Sequence, residues 1–150
     1  MRIVTIQKKY LHYYTVDKEM LKKAGRPCAL LIRLKYKGHR YDFAVPLRSN
    51  INASAPKNQY FALPPRPTTR KGNRHGVHYI KMFPIDRSIV NPFRIEGNEF
   101  AKLIKQILTK NEKQIINECQ HYLAEYEKGN RPIYSTDLDL LLIQMSKISK

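Results

Sequence analysis

The stretch 28-CALLIRLKYKGHRYDFAVPLRSN-50 decides the architecture. Residues 28–36 (CALLIRLKY) are apolar at first and then alternate, which is the pattern of a strand. Lys37-Gly38-His39-Arg40 reads as a hairpin turn, and residues 41–47 (YDFAVPL) as the returning strand. Pro46 has no amide proton to give to a ladder, so that strand is expected to end or bulge there.

Working outward, residues 2–6 alternate and predict a short opening strand, and residues 7–14 place Tyr10, Leu11 and Tyr14 at helical spacing. A basic, mixed segment follows and closes at Gly25-Arg26-Pro27. On the other side, residues 48–75 form a long region rich in Pro, Asn and basic residues, with a further strand predicted at 59–63. Connections of that length are usually functional. Residues 77–84 (VHYIKMFP) read as another strand, with Ile80 and Met82 on one face and Tyr79, Lys81 and Phe83 on the other. After Asn91-Pro92 the pattern turns helical: Phe100, Leu103, Ile104, Ile107, Leu108, Ile115, Cys119, Tyr122 and Tyr126 form one stripe. Asn111 with Gln114 resembles a capping box, predicting a break near 109–111, and Gly129-Asn130 closes the stripe. Thr136 with Asp139 is expected to cap a last helix, DLDLLLIQMSKI, apolar on several sides and so well buried. The fold class expected is α+β, one domain over residues 1–150: a compact twisted antiparallel sheet or open barrel braced by a helical C-terminal half.

The chain has 150 residues, 28 Lys+Arg against 12 Asp+Glu, and a net charge of +16. The charge is uneven. Residues 1–85 carry 18 cations and only Asp17, Glu19 and Asp42, while residues 86–150 are nearly neutral. From 43 to 85 there is no acid at all, although Arg48, Lys57, Arg66, Arg70, Lys71, Arg74 and Lys81 all fall there. A one-sign field over half a domain destabilises the free fold, so it points to a bound polyanion, and nucleic acid fits best. No basic amphipathic helix suggests a membrane surface, and no apolar run is long enough to span one. An apolar fraction of 42% with 10 Tyr and 5 Phe is enough for a core and excludes wholesale disorder. No signal peptide is visible, and Cys28 and Cys119 read as two buried thiols of a cytoplasmic protein.

Among candidate chemical groups, His75 and His78 sit at i and i+3, which on a strand point to opposite faces. They do not make a metal site, and no metal is expected; one of them as a general acid or base is more credible. His39 and His12 read as structural or phosphate-facing. Two-metal chemistry needs clustered carboxylates, which the basic half lacks. Val45-Pro46-Leu47-Arg48-Ser49-Asn50 is more specific: a strand ending in a cation and a hydroxyl can hold one phosphate. RNA carries its own nucleophile, the 2′-OH, so a ribonuclease needs only orientation, a proton shuttle and charge stabilisation. Alternatively, Ser49 caps its own turn, and the residues alone do not choose. Tyr13, Tyr14, Tyr60, Phe61, Tyr79 and Phe83 are interleaved with cations, which suits splayed bases, two or three of them stacking. RNA contacts are expected from Lys8, Lys9, Tyr13, Tyr14, Lys57, Tyr60, Arg66, Arg70, Lys71 and Arg74.

These residues carry a resemblance that runs nearly end to end. The chain resembles the ToxN/AbiQ superfamily, the endoribonuclease toxins of type III toxin–antitoxin systems, and looks closest to the CptN branch. The similar segments are Ile6 to Tyr10 with its Lys-Lys-Tyr, Arg26-Pro27, Gly38-His39, Ala44-Val45-Pro46-Leu47-Arg48-Ser49, and His78-Tyr79-Ile80-Lys81-Met82-Phe83-Pro84-Ile85. The resemblance implies a fold similar to the MazF/Kid toxin barrel. It implies metal-independent cleavage of adenine-rich RNA to a 2′,3′-cyclic phosphate and a 5′-hydroxyl, with no cofactor. It also implies an antitoxin RNA pseudoknot, cut from a repeated precursor by the toxin and bound in a closed ring of three toxins and three RNAs. Ser49 matches the active-site serine, whereas Arg48 falls where a relative has threonine and Ile51 where it has lysine. Arg26, Lys57 and Lys81 are then the candidates for the cationic role, and His75 or His78 for moving protons. The alternative from another class is a non-catalytic RNA-binding protein using the same basic face.

The charge distribution makes a testable statement about salt. RNA affinity is expected to fall linearly with salt on a log–log plot, with a slope of about −0.7 per phosphate contact, measured by filter binding. Affinity indifferent to salt contradicts the electrostatic reading.

Overall fold

Lys37 and Gly38 both take positive φ, 51° and 80°, so the hairpin closes on two residues and the returning strand already begins at His39. The computed structural model describes residues 1–20 and 28–148. Among these, β1 (Arg2–Ile6), β2 (Cys28–Tyr36), β3 (His39–Ile51), β4 (Tyr60–Leu63), β5 (Arg74–His78), β6 (Phe83–Pro84) and β7 (Val90–Pro92) build one antiparallel sheet. Its order is β4-β5-β3-β2-β1-β7, with the short β6 also on β3. The helices α1 (Glu99–Lys110), α2 (Glu112–Glu127) and α3 (Leu138–Ile148) complete the α+β architecture.

The hairpin has apolar residues on both faces because both faces are covered. Leu30, Ile32, Leu34 and Tyr36 join Phe43 and Val45 in a core closed by Ile104 and Leu108 of α1 and Ile115, Cys119 and Leu123 of α2. The alternate residues Ala29, Leu31 and Ala44 face Val4, Ile6, Tyr14, Ile85 and Leu141. Beyond Ile32 the second face opens, and Arg33 and Lys35 are exposed. Cys119 is buried as expected, whereas Cys28 is half-buried.

The structure corrects several expectations. Pro46 does not end its strand: it faces Ala29 as the last residue paired with β2, and Leu47 then pairs with Val77 of β5. The bulge falls later, between Arg48 and Ile51. Residues 77–84 are not one strand. β5 stops at His78, Tyr79–Lys81 make a single 3-10 turn, and Phe83–Pro84 pairs with Phe43 and Ala44. The apparent alternation misled because Tyr79, Ile80, Lys81, Met82 and Phe83 are all buried. Residues 8–13 likewise form a 3-10 helix.

The helix ends are capped by other residues than the spacing indicates. The break expected near 109–111 is there, with Asn111 both ending α1 and opening α2, but not the capping box: Asn111 Nδ2 donates back to the Ile107 carbonyl (2.7 Å), and Gln114 donates to Glu118. Thr136 Oγ1 donates to the Met82 carbonyl, and α3 is capped by Asp137, whose Oδ1 accepts from Leu140 N at 3.1 Å. On α3, Leu138, Leu141 and Gln144 are buried and Ile143 is exposed, so the helix is half-covered rather than well buried.

Gly76, opposite both Arg48 and Ala62, is where β4 and β3 close on β5. A Cβ there falls on the Phe61 carbonyl oxygen, a backbone atom. Gly76→Ala is therefore expected to destabilise the fold by about 1–3 kcal/mol, read as a lower melting temperature. An unchanged melting temperature excludes this close packing.

Candidate functional site

Where β3 runs past β2 and onto β5, its side chains open onto a cavity of about 720 Å³. Arg48 and Asn50 enter it from β3, His78 from the end of β5, and Lys81 from the 3-10 turn. Glu19, Gln59 and the α2–α3 connector around Tyr134 supply the rest of the wall. The fold thus gathers Arg48, His78 and Lys81, three of the residues singled out from sequence.

Arg48 Nη1 lies 3.4 Å from His78 Nδ1. A guanidinium only donates, so this contact calls for an unprotonated Nδ1 and a proton on Nε2. Burial, then the charges of Arg48 and Lys81, hold His78 down to about 3, well below its usual 6.5, so the imidazole is neutral at physiological pH. Burial also disfavours the charge on Arg48, which has no carboxylate partner among the described residues. Lys81 is buried too, but its Nζ donates to Glu19 Oε2 (2.9 Å) and to the Tyr134 carbonyl (2.7 Å). An anion entering the cavity would therefore find one unpaired guanidinium, a neutral imidazole and a tethered ammonium.

Asn50 organises the long basic connection beyond it. Its Oδ1 accepts from Arg70 N (2.7 Å) and Asn73 Nδ2 (3.3 Å), and its Nδ2 donates to the Thr68 carbonyl (2.9 Å). Arg70 and Lys71 are thereby displayed, exposed, on a fixed loop that runs to the exposed Arg74 at the start of β5. Arg66, also exposed, instead sits over the Phe100 ring (5.6 Å to its centroid) beside the pocket that holds His75. Lys57 is exposed and Tyr60 half-buried, at the turn and strand that precede it.

Other sequence-derived residues fall elsewhere. Ser49 is half-buried at the bulge between Arg48 and Ile51 and does not line the cavity, although both chain neighbours do. His75 is on the opposite face, as its spacing indicates: it borders a small apolar pocket with Leu47 and Phe100, and its Nδ1 donates to the Pro64 carbonyl at 2.7 Å. That places it away from His78 and the cavity. Arg26 lies outside the described residues. Lys8 and Lys9 are exposed and Tyr13 half-buried, but they follow β1, towards the other end of the sheet from β4 and β5. Tyr14 is corrected: it is 0% exposed and packed on Phe83 with ring centroids 5.1 Å apart, so it is core and stacks on no base. Tyr79 and Phe83 are buried as well. Sequence reasoning missed Glu19, Asn50 and Tyr134; Glu19 had one signal, being among only three acids in residues 1–85.

The comparisons agree with this geometry at the level of fold. No sequence-family profile matches the chain, and no curated protein matches it. Solved structures do. A protein of a bacterial antiviral system regulated by a processed non-coding RNA is similar over 100% of both chains, with TM-score 0.73 and 16% identity. AbiQ, a lactococcal anti-phage endoribonuclease of the type III toxin–antitoxin class, is similar over 99% of this chain and 97% of its own, with TM-score 0.69 and 15% identity. A third, from work on type III toxins inhibited by a non-coding RNA pseudoknot, gives TM-score 0.69 and 15% identity over 99% and 98%.

His78 makes stability pH-dependent in a defined direction. The unfolded chain takes up a proton near the usual 6.5, and the folded chain only near 3. Protons therefore favour unfolding between these values, and stability falls as pH drops below about 6.5. His78→Gln is expected to flatten that part of the melting-temperature profile; an unaltered profile shows that His78 is not held neutral. The chain thus shares its fold, an antiparallel sheet with C-terminal helices, with AbiQ, an endoribonuclease of the type III toxin–antitoxin class.

Proposed function

We propose that the chain is an endoribonuclease toxin that cleaves adenine-rich RNA by 2′-OH attack without a metal, leaving a 2′,3′-cyclic phosphate and a 5′-hydroxyl. The observation that carries this is Arg48: a half-buried guanidinium without a carboxylate partner among the described residues, set against neutral His78. A phosphodiester entering the cavity draws Arg48 onto its oxygens, which frees Nδ1 of His78 to take the 2′-OH proton while the phosphate charge raises the basicity of the imidazole. The imidazolium then gives a proton to the departing 5′ oxygen. Arg48 and Lys81 face the negative charge that develops on the phosphate oxygens. Glu19, the one carboxylate in the cavity wall, is already paired with Lys81, a donor set better suited to holding an anion than a cation. Ser49, which does not line the cavity although its neighbours Arg48 and Asn50 do, enters as the position that the sequence resemblance makes the active-site serine, a hydroxyl donor to the same phosphate.

The inhibitor in this reading is an antitoxin RNA pseudoknot, processed by the toxin and held in a closed ring of three toxins and three RNAs. What supports it is the fold shared with a protein studied for inhibition by a pseudoknot RNA, together with the exposed cations Arg70 and Lys71 on the loop fixed by Asn50 and Arg74 at the start of β5. Native mass measurement of the co-expressed complex tests the stoichiometry.

The function is tested by incubating the chain with adenine-rich RNA in excess chelator and mapping product ends. Cleavage to cyclic phosphates supports the proposal; intact RNA with binding retained makes the chain an RNA-binding protein instead. Ser49→Ala is expected to reduce the cleavage rate by roughly 10²–10³-fold and to abolish growth inhibition. Antitoxin binding is expected to survive, since one hydroxyl contributes about 1 kcal/mol, whereas Arg74→Glu weakens it. If Ser49 is only a turn cap, Ser49→Ala instead lowers stability by about 1 kcal/mol with the rate per folded molecule unchanged.

A further inference from the structure

The α2–α3 connector carries the two most exposed large apolar side chains among the described residues, Ile133 (78%) and Tyr134 (68%). Both line the mouth of the cavity that holds Arg48 and His78. Ser135 N donates to the Pro132 carbonyl at 3.2 Å, and Tyr134 has φ 70°, so residues 132–135 make a tight turn with a left-handed third residue. Glycine or asparagine suits that position; a tyrosine is disfavoured by its Cβ. The turn is nevertheless clamped: Lys81 Nζ donates to the Tyr134 carbonyl at 2.7 Å, and Thr136 N to the Ile80 carbonyl at 3.0 Å. An aromatic ring is thus held by its backbone, facing solvent, where the fold neither needs it for packing nor favours it conformationally. A second open cavity, of about 530 Å³, lies across Pro132 and shares Pro56, Gln59 and Pro132 with the first. A strand whose phosphate sits at Arg48 has room to continue over this turn.

Resting on the RNA-cleavage reading above, we propose that Tyr134, flanked by Ile133, is the stacking platform of the site: its ring takes the face of one unpaired base of single-stranded RNA whose phosphate is held at Arg48. Aromatic faces beside a cationic groove are how single strands are bound, because every base has a π-face and every linkage a charge. Lys81 acts twice in this arrangement, facing the phosphate and fixing the ring's backbone. The platform sets which nucleotide is seated next to His78.

The chain has no tryptophan, so Tyr134→Trp introduces a single indole. The probe is a fluorescein-labelled single-stranded 2′-O-methyl oligoadenylate, which has no free 2′-OH and is not cleaved. Indole emission is expected to fall as an unlabelled copy binds, and to stay unquenched with a control oligomer of the same length and backbone that lacks the bases (the abasic oligomer). Tyr134→Gly removes the ring and relieves the left-handed strain. Its melting temperature is expected to be unchanged or raised, while oligoadenylate binding by anisotropy weakens by about 5- to 100-fold and abasic-oligomer binding does not change. A structural tyrosine would instead lower the melting temperature of Tyr134→Gly and leave binding per folded molecule intact, overturning the proposal. Constant indole emission at saturating RNA overturns it too. In both cases the parent's cleavage stands untouched. A parent that binds without cleaving leaves the quenching result decisive for stacking while removing the nuclease reading. A parent that fails to bind the oligomer removes both.

Discussion

Pro46 has no amide proton, and the long strand β3 changes partners beside it. Up to Pro46 the strand belongs to the hairpin with β2, and from Leu47 it belongs to β5. Within that first part residues 42–46 are buried on both faces, between α1–α2 and the N-terminal 3-10 helix with α3. The second part extends past that double cover, so polar side chains are affordable there: Arg48 and Asn50 stand on a wall that opens to solvent. Gly76 completes the handover, since only a residue without Cβ lets β4 lie so close to β5 opposite Arg48. Position and chemistry of the site both follow from this transfer.

The electrostatics are arranged by a shortage of acids. Each of the three carboxylates in residues 1–85 has a structural task. Asp17 accepts from the backbone of Glu19 and Asp137, Asp42 pairs with Arg33 and Arg87, and Glu19 pairs with Lys81. None is left for Arg48 or for the loop cations Arg66, Arg70, Lys71 and Arg74 among the described residues. A bound polyanion would relieve the self-repulsion that results from this imbalance, which is already visible in the composition.

Much of the framework was legible because it is local. The hairpin, the opening strand, the strand at 59–63 and the amphipathic stripe through α1 and α2 are each written as a period of 2 or 3.6 over a few turns or pleats. The opposite facing of His75 and His78 follows from strand geometry alone. Local reading failed where both sides of a segment are enclosed. Residues 79–83 look alternating yet bend through a buried 3-10 turn, and Tyr14 looks like a surface aromatic yet fills the core against Phe83. Capping failed because other carbonyls compete with the expected local amide: Asn111 turns back to Ile107, one turn behind it, and Thr136 reaches Met82, 54 residues away.

By itself, then, the sequence determined a basic half with only three acids, an antiparallel hairpin, a helical second half and a cation–hydroxyl pair at the end of a strand. These depend only on composition and on neighbours along the chain. Tertiary structure alone decided that Arg48, His78 and Lys81 share one cavity with Glu19 and Tyr134, and that His75 does not. Lys81 and Tyr134 are 53 residues apart, and Lys81 and Glu19 are 62 apart. No periodicity spans such separations; only the path of β3 across the sheet and the clamp at Thr136 bring those atoms within hydrogen-bond distance.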